Sequence, residues 1–333
     1  MEVQYMNIDV IIPAYNAHDT ITRTIGSIAL QSIHDDIKVT IVNDNPNGEG
    51  YSNIIDRYPE LDIEEIKMPE NGGPGLARQY GLDNTSNPLV TFIDADDTFA
   101  GAFSLKELRR NIETDSKCAV AIGTFIEENG DSIYVPHPND TVWMFGKMYR
   151  RSFLQKYNIH FNSTRSNEDT GFNAICKLLA NSEEQIKFIP DTVYYWHFKE
   201  DSITRINNFD YSYNASFGGY TTNMIYAINE AHKILPFAEH IDMFSVQVMC
   251  NLYGYFLETC ARDRRYVTQN FEHCYRFYKE IYSKIEDKVN PQILGATYSE
   301  CMRNYYVGNK FAGYIPEITF NEFMDKLHRY KEG

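Results

Sequence analysis

No apolar stretch in this 333-residue chain approaches the roughly 18 to 20 residues that a membrane-crossing helix needs. The N-terminus has neither the basic nor the apolar region of a secretory leader, so the expectation is a soluble, cytoplasmic protein. Cysteine is sparse: six residues, at 118, 176, 250, 260, 274 and 301, with no C-x-x-C pair and no regular spacing. That pattern speaks against a disulfide framework or a zinc site and fits reduced thiols. Positive charge is short as well, 31 Lys and Arg against 46 Asp and Glu. A net charge of −15 argues against broad binding to a nucleic-acid backbone. Arg109-Arg110, Arg150-Arg151 and Arg262-Asp263-Arg264-Arg265 are left as local basic patches or solvated helix faces. What the chain does have is 43% hydrophobic and 14% aromatic residues, enough for a sizeable globular core. Its 25 Tyr suit sugar or nucleobase stacking, or simply half-buried surface.

The first hundred residues alternate strand and helix. Ile8 to Ile12 reads as a buried strand ended by Pro13, followed by a helix capped at Asn16 or Asp19 with Ile21, Ile25, Ile28 and Ala29 on one face. Lys38 to Val42 is the second strand, 51–58 a short helix, and Ile63 to Met68 the third strand. Gly72-Gly73-Pro74-Gly75 opens a helix through Leu82, and Leu89 to Ile93 is the fourth strand. Such alternation predicts an α/β fold with a mostly parallel sheet and right-handed crossovers. Between 100 and 200 the pattern is mixed: a helix near 104–114, strands at 118–125, 132–135 and 142–149, and a helix near 169–180. Beyond about 205 long helices take over, with stripes at Met224 to Leu235, Val248 to Thr259 and Phe271 to Ile285. The expectation is a nucleotide-binding domain over 1–205 and a helical domain over 206–333.

Asp94-Ala95-Asp96-Asp97 closes the fourth strand. A buried strand expels charge, so this cluster belongs at the carboxyl edge of the sheet, where open α/β folds bind ligands. Mutually repelling carboxylates there suit a hard divalent cation, Mg²⁺ or Mn²⁺, holding a diphosphate. A helix N-cap is the plainer alternative, although three acids over-supply it. Pro13-Ala14-Tyr15-Asn16, Asn43-Asp44-Asn45 and Asn71-Gly72-Gly73 follow the other three strands and complete one crevice suited to a nucleotide. Asp44 can accept from a nucleobase imide, Tyr15 can line the base, and Arg78 can pair with a phosphate or brace the acidic cluster.

This series resembles family 2 glycosyltransferases of the GT-A fold. They carry Pro-x-Tyr-Asn, an acidic pair after the second strand, Asn-x-Gly…Ala-Arg-x-x-Gly and Asp-x-Asp, matched here by Pro13 to Asn16, Asp44, Asn71 to Gly73 with Ala77-Arg78 and Gly81, and Asp94 to Asp97. Trp143…Lys147 to Leu154 resembles the stretch before their catalytic loop, placing Trp143 and Lys147 on the acceptor side. Asn167-Glu168-Asp169 resembles the motif carrying their general base, and Tyr194 to His197 with Ser202-Ile203-Thr204 the close of their core domain. The likeness covers roughly 7–205. One departure is Asn43-Asp44-Asn45-Pro46, which has a single acid where the family has two and then Gly-Ser.

The resemblance implies an inverting, metal-dependent transfer from a nucleotide-sugar donor, a UDP-sugar on this pattern, to a hydroxyl. Asp96 would ligate the Mn²⁺ or Mg²⁺ on the diphosphate, with Asp94 and Ala95 beside the ribose or metal. Asp169 would be the general base, with Glu168 next in line, and the helix dipole would hold Asp169 ionised. His197 would be a third metal ligand, a diphosphate contact or a core residue. The acceptor stays open among a glycan, a lipid-linked sugar, a protein and a modified DNA base. The helical segment would bind acceptor or mediate homo-oligomerisation. A nucleotidyltransferase and a non-catalytic nucleotide-sugar-binding module are the rival classes.

Overall fold

The computed structural model describes residues 5–130, 132–180, 184–200, 210–236, 238–307 and 317–330, without the side chains of 304–307. Two compact units divide it, Met1–Glu200 and Asp201–Gly333. The boundary expected at 205/206, and Ser202-Ile203-Thr204, fall outside the described residues.

In the first unit, β1 (Ile8–Ala14) lies between β2 (Ile37–Asn43) and β4 (Leu89–Phe92), and β3 (Asp62–Lys67) flanks β2, all parallel. The crossovers carry α1 (Ile21–Ala29), α2 (Ser52–Ile55) and α3 (Pro74–Asp83). Ile8, Val10, Ile12, Val39 and Ile41 pack with Ile21, Ile25 and Ile28 of α1 in a core that excludes solvent. Each such side chain stabilises the fold by roughly 1.5–3 kcal/mol relative to exposure, which is why the β-branched runs occupy the centre. Pro13 lies within β1 and does not end it. Ile93 N donates to Ile11 O, so odd-numbered residues of β1 face β4, and Pro13 meets that side after β4 has finished. Its missing N–H therefore costs no ladder bond. Thr20, and not Asn16 or Asp19, stands at the start of α1, because Asn16 is taken up in a left-handed turn (φ 52°).

After β4 come β5 (Thr98–Phe99), α4 (Ser104–Glu113), β6 (Cys118–Asn129), β7 (Ile133–His137), β8 (Lys147–Arg150), α5 (Arg151–Lys156), α6 (Glu168–Leu179) and β9 (Gln185–Trp196). The sheet runs β3-β2-β1-β4-β8-β6-β9-β5, with β7 paired to β6. Among the described residues six of the nine strands run in one direction and β5, β7 and β8 run against it, so the mostly parallel expectation holds with three antiparallel strands added. The reason is that β6 turns straight back into β7. Without a crossover helix, the chain re-enters the sheet antiparallel. The strand expected over 142–149 shrinks to β8, since Gly146 (φ 65°) breaks the extended run. In the two arginine pairs Arg109 and Arg151 are buried, pairing with Asp36 at 2.7 Å and Asp9 at 2.8 Å, while Arg110 stays on a solvated face.

The second unit consists of α7 (Phe217–Ile234), α8 (Glu239–Arg262), α9 (Val267–Glu280), α10 (Pro291–Val307) and α11 (Phe320–Arg329). The third stripe outlasts its helix: Tyr282 and Ile285 are buried from short 3₁₀ turns beyond Glu280. No helix among the described residues is long and apolar enough to cross a membrane.

Candidate active site

The parallel strands β1 to β4 deliver their loops to one edge of the sheet, and hydrogen bonds tie those loops together. Gly72 N and Gly73 N donate to Asp44 Oδ1 and Oδ2 at 2.7 and 2.8 Å, and the Asn71 side chain donates to Asp44 O at 3.1 Å. Gly73 sits at φ 81°, a left-handed position that glycine takes without strain. Asp44 is buried and thus anchors the glycine loop first. Each of its carboxylate oxygens can accept a further hydrogen bond. Pro13 and Ala14 lead into Tyr15, which is 58% exposed, and Asn16 accepts from Asn45 Nδ2 at 2.8 Å. Arg165, given no role by the motifs, donates to Asn71 Oδ1 (2.9 Å) and Asn71 O (3.0 Å), linking the loop before α6 to the glycine loop.

Arg78 projects from α3 into the protein, its side chain 5% exposed. It donates to Asp94 Oδ1 at 2.6 Å and to Glu168 Oε1 at 2.9 Å. Burial alone would lower its pKa, but Asp94, Glu168 and Asp169 outweigh burial and raise it. Of the two roles open to Arg78, the geometry is that of a brace. Gly75 allows the contact, because a Cβ there would lie 2.4 Å from Glu168 Cγ.

Glu168 and Asp169 begin α6, after Asn167 in a left-handed turn (φ 58°). Glu168 is buried on Arg78, whereas Asp169 accepts from Thr170 N at 2.7 Å. Burial, and then the neighbouring Glu168, push the Asp169 carboxyl up to about 7. The expectation that the helix start would hold it low is corrected, since desolvation and like charge exceed the dipole.

The acidic cluster divides its work. Asp97 is buried, with Tyr194 Oη donating to Oδ2 (2.7 Å) and His197 N to Oδ1 (2.9 Å). Burial, with Asp94 and Asp96 beside it, raises its pKa well above the usual range. Asp94 and Asp96 stay open, their side chains 30% and 39% exposed. Burial and Asp94 raise the Asp96 pKa as well. Among the described residues no group of three His, Cys, Asp or Glu is placed to hold a metal ion. Two hard carboxylates nonetheless fit Mg²⁺ or Mn²⁺, which fill their shells with water and phosphate oxygens.

His197 is not disposed as a third ligand. Its Nδ1 donates to Glu128 Oε2 at 2.9 Å, and Nε2 pairs with Thr98 Oγ1 at 2.8 Å, so ligation would break an existing bond. It does line a cavity of about 280 Å³ with Thr20, Arg23, Asp96, Phe198 and Lys199. Lys147 is also misassigned by the motif reading. Its side chain is 1% exposed, and its ammonium donates to Asp140 Oδ1 (3.2 Å) and to the carbonyls of Trp143 and Phe145. Burial lowers its pKa, and it organises the 140–146 turn instead of meeting an acceptor. Trp143 is half-buried and stacks on Phe145, centroids 6.0 Å apart. Arg23 and Lys199 were missed, and Tyr194 was named only within the Tyr194 to His197 motif; Lys199, two residues past His197, also had a visible signal.

Residues 9–166 match the family model described as glycosyl transferase family 2. The uncharacterized glycosyltransferase EpsJ of Bacillus subtilis is 26% identical over 60% of this chain and 63% of its own length. GlyA of Streptococcus pneumoniae is 24% identical over 60% of this chain and 32% of its own. The chain thus spans less than two thirds of either relative. Among solved structures, Staphylococcus aureus TarS 1–349 in complex with UDP-GlcNAc superposes with TM-score 0.68 at 20% identity, covering 92% of this chain and 93% of that one. The mannosyltransferase PcManGT of Pyrobaculum calidifontis, in complex with GDP-Man and Mn²⁺, gives 0.54 at 13% identity over 99% and 89%. The fold is GT-A.

Proposed function

We propose that the chain is a family 2 glycosyltransferase, whose family model matches residues 9–166, and that it moves a sugar from a nucleotide-diphosphate donor to a hydroxyl acceptor, with inversion. The observation that carries this reading is the Arg78 bridge. It joins Asp94, of the acidic cluster after β4, to Glu168, at the start of α6, through one guanidinium. Asp96, with Asp94, would hold Mn²⁺ or Mg²⁺. When bound, that metal supplies positive charge against the charge developing on the leaving group. Asp169 takes the proton of the attacking hydroxyl, and a base with a pKa near 7 is well matched to neutral pH. Glu168, paired with Arg78, positions it. Tyr15 lines the base, and Asp44 offers its remaining lone pairs to an imide N–H.

Uracil presents an imide N–H and guanine a lactam N–H that such an acceptor can take, in keeping with one neighbour solved with UDP-GlcNAc and another with GDP-Man. A UDP-sugar is the proposed donor, TarS being the more similar of the two. The acceptor is a glycan, a lipid-linked sugar, a protein or a modified DNA base. The second unit is assigned to acceptor binding or self-association. A thermal-shift screen of nucleotide sugars with Mn²⁺ tests the donor, since ligand at a hundred times its Kd stabilises by about 2.7 kcal/mol. Release of nucleoside diphosphate then tests turnover. Release of pyrophosphate from a nucleoside triphosphate would replace the reading with nucleotidyl transfer, and binding without release would replace it with a binding module.

A further inference from the structure

Two cations that the proposed chemistry leaves unused flank Asp96. Arg23, on the exposed side of α1, donates its guanidinium to the Asp96 carbonyl oxygen. Lys199, just past β9, brings Nζ to 3.9 Å from Asp96 Oδ2 with its side chain 48% exposed. Both line the cavity of about 280 Å³, as do Asp96 and the exposed Asp19. Two cations therefore face two carboxylates, and the cavity as it stands holds little attraction for an anion. The two contacts differ in kind. Arg23 is fixed through the backbone. Lys199 is a long flexible arm whose separation from Asp96 exceeds a hydrogen bond, and an exposed pair of that sort is weak.

A doubly charged ion competes for the same carboxylate and displaces so weak a partner. We propose that Lys199 exchanges partners: it neutralises Asp96 while no metal is held, and passes to the donor diphosphate once a divalent cation takes the carboxylate. Arg23 is the second, stationary cation for those phosphates. The exchange turns a balanced cavity into one two charges positive, so the diphosphate follows the metal. The inference rests on the nucleotide-diphosphate reading above and adds two residues and an order of binding to it.

The test is Lys199→Gln, a substitution at an exposed position whose folding is checked by Tm. Free Mn²⁺ is followed by electron paramagnetic resonance without nucleotide. UDP, GDP, CDP and ADP are then titrated by calorimetry in saturating Mn²⁺, and the tightest is carried forward. The variant should bind Mn²⁺ about 1.4- to 5-fold more tightly, the span expected for removing an exposed ion pair. It should bind the nucleotide about 10-fold or more weakly, as for loss of a hydrogen bond to a charged group. A merely structural role would not move the two in opposite directions. Arg23→Gln should weaken the nucleotide without tightening Mn²⁺, and Arg23→Lys should recover part of the loss. Unchanged nucleotide affinity in Lys199→Gln, or unchanged or weaker Mn²⁺ binding, overturns the exchange while the donor reading stands. If the wild-type chain binds none of the four diphosphates, the donor reading itself falls.

Discussion

With its carboxyl raised to about 7, Asp169 changes protonation state across the range where an enzyme of this kind works. Its protonated form cannot accept the hydroxyl proton, so each pH unit below that value removes tenfold of the active species. Turnover should rise with unit slope up to about pH 7 and then level off; a flat profile between pH 5 and 8 would reject the base assignment. Asp169→Asn should lower turnover roughly 10²–10⁴-fold and remove the rising limb, with donor affinity nearly unchanged. Stability moves the other way. The folded pKa lies above the unfolded value of about 3.9, so the contribution from this group is full below that value and lost as pH rises through about 7. Among the neighbouring acids, Asp96→Asn should abolish most metal-dependent nucleotide affinity at nearly wild-type Tm. Asp97→Asn should instead lower Tm, because Asp97 anchors Tyr194 and the backbone of His197. Calorimetry and thermal denaturation separate the pair. All five carboxylates could be picked out from strand-end and helix-start positions. That Glu168 and Asp97 are engaged could not, because their partners lie about 90 to 100 residues away in sequence.

At the scale of elements, α3 and α6 meet where Gly75 leaves room for Glu168. Gly75→Ala pushes a methyl group into that side chain and displaces the start of α6. Overpacking of this kind costs about 1–3 kcal/mol. Denaturant unfolding should register that loss, and turnover should fall further than nucleotide affinity, since the glycine loop keeps its bonds to Asp44. A wild-type turnover number in Gly75→Ala would show that the contact does not position the base. β1, β2 and β4 were readable because they are buried and largely apolar, and the crossover helix α1 repeats its stripe at helical spacing. β9 was not, since Lys187, Pro190 and Asp191 interrupt it and its register with β6 shifts along its length. The stripe at 271–285 misled because 3₁₀ turns continued the burial after the helix had stopped.

For the whole molecule, the division at residue 200 separates the proposed chemistry from a helical unit with its own core. Leu252, Phe256, Phe271, Phe277 and Phe323 are buried there, so that unit is built for packing. A chain ending at residue 206 should keep donor hydrolysis while losing sugar transfer or showing a lower mass by light scattering. Transfer and mass both unchanged would show that the second unit neither binds acceptor nor self-associates. A change in periodicity near 205 could be read from the sequence, whereas the antiparallel strands could not, because strand direction depends on connections that composition does not record.

The Arg78 bridge also bears on how this site could diverge or be redesigned. A substitution at Asp94 chosen to admit a different donor leaves the buried guanidinium one partner short, and the imbalance reaches Glu168 on the opposite side. Changes aimed separately at donor and acceptor will therefore be epistatic, and libraries that vary Asp94 and Glu168 together should yield active clones that single-site libraries miss. Tyr15, exposed and outside that ionic strut, can be varied alone, and if it lines the base as proposed, its substitution should shift donor preference without that coupling.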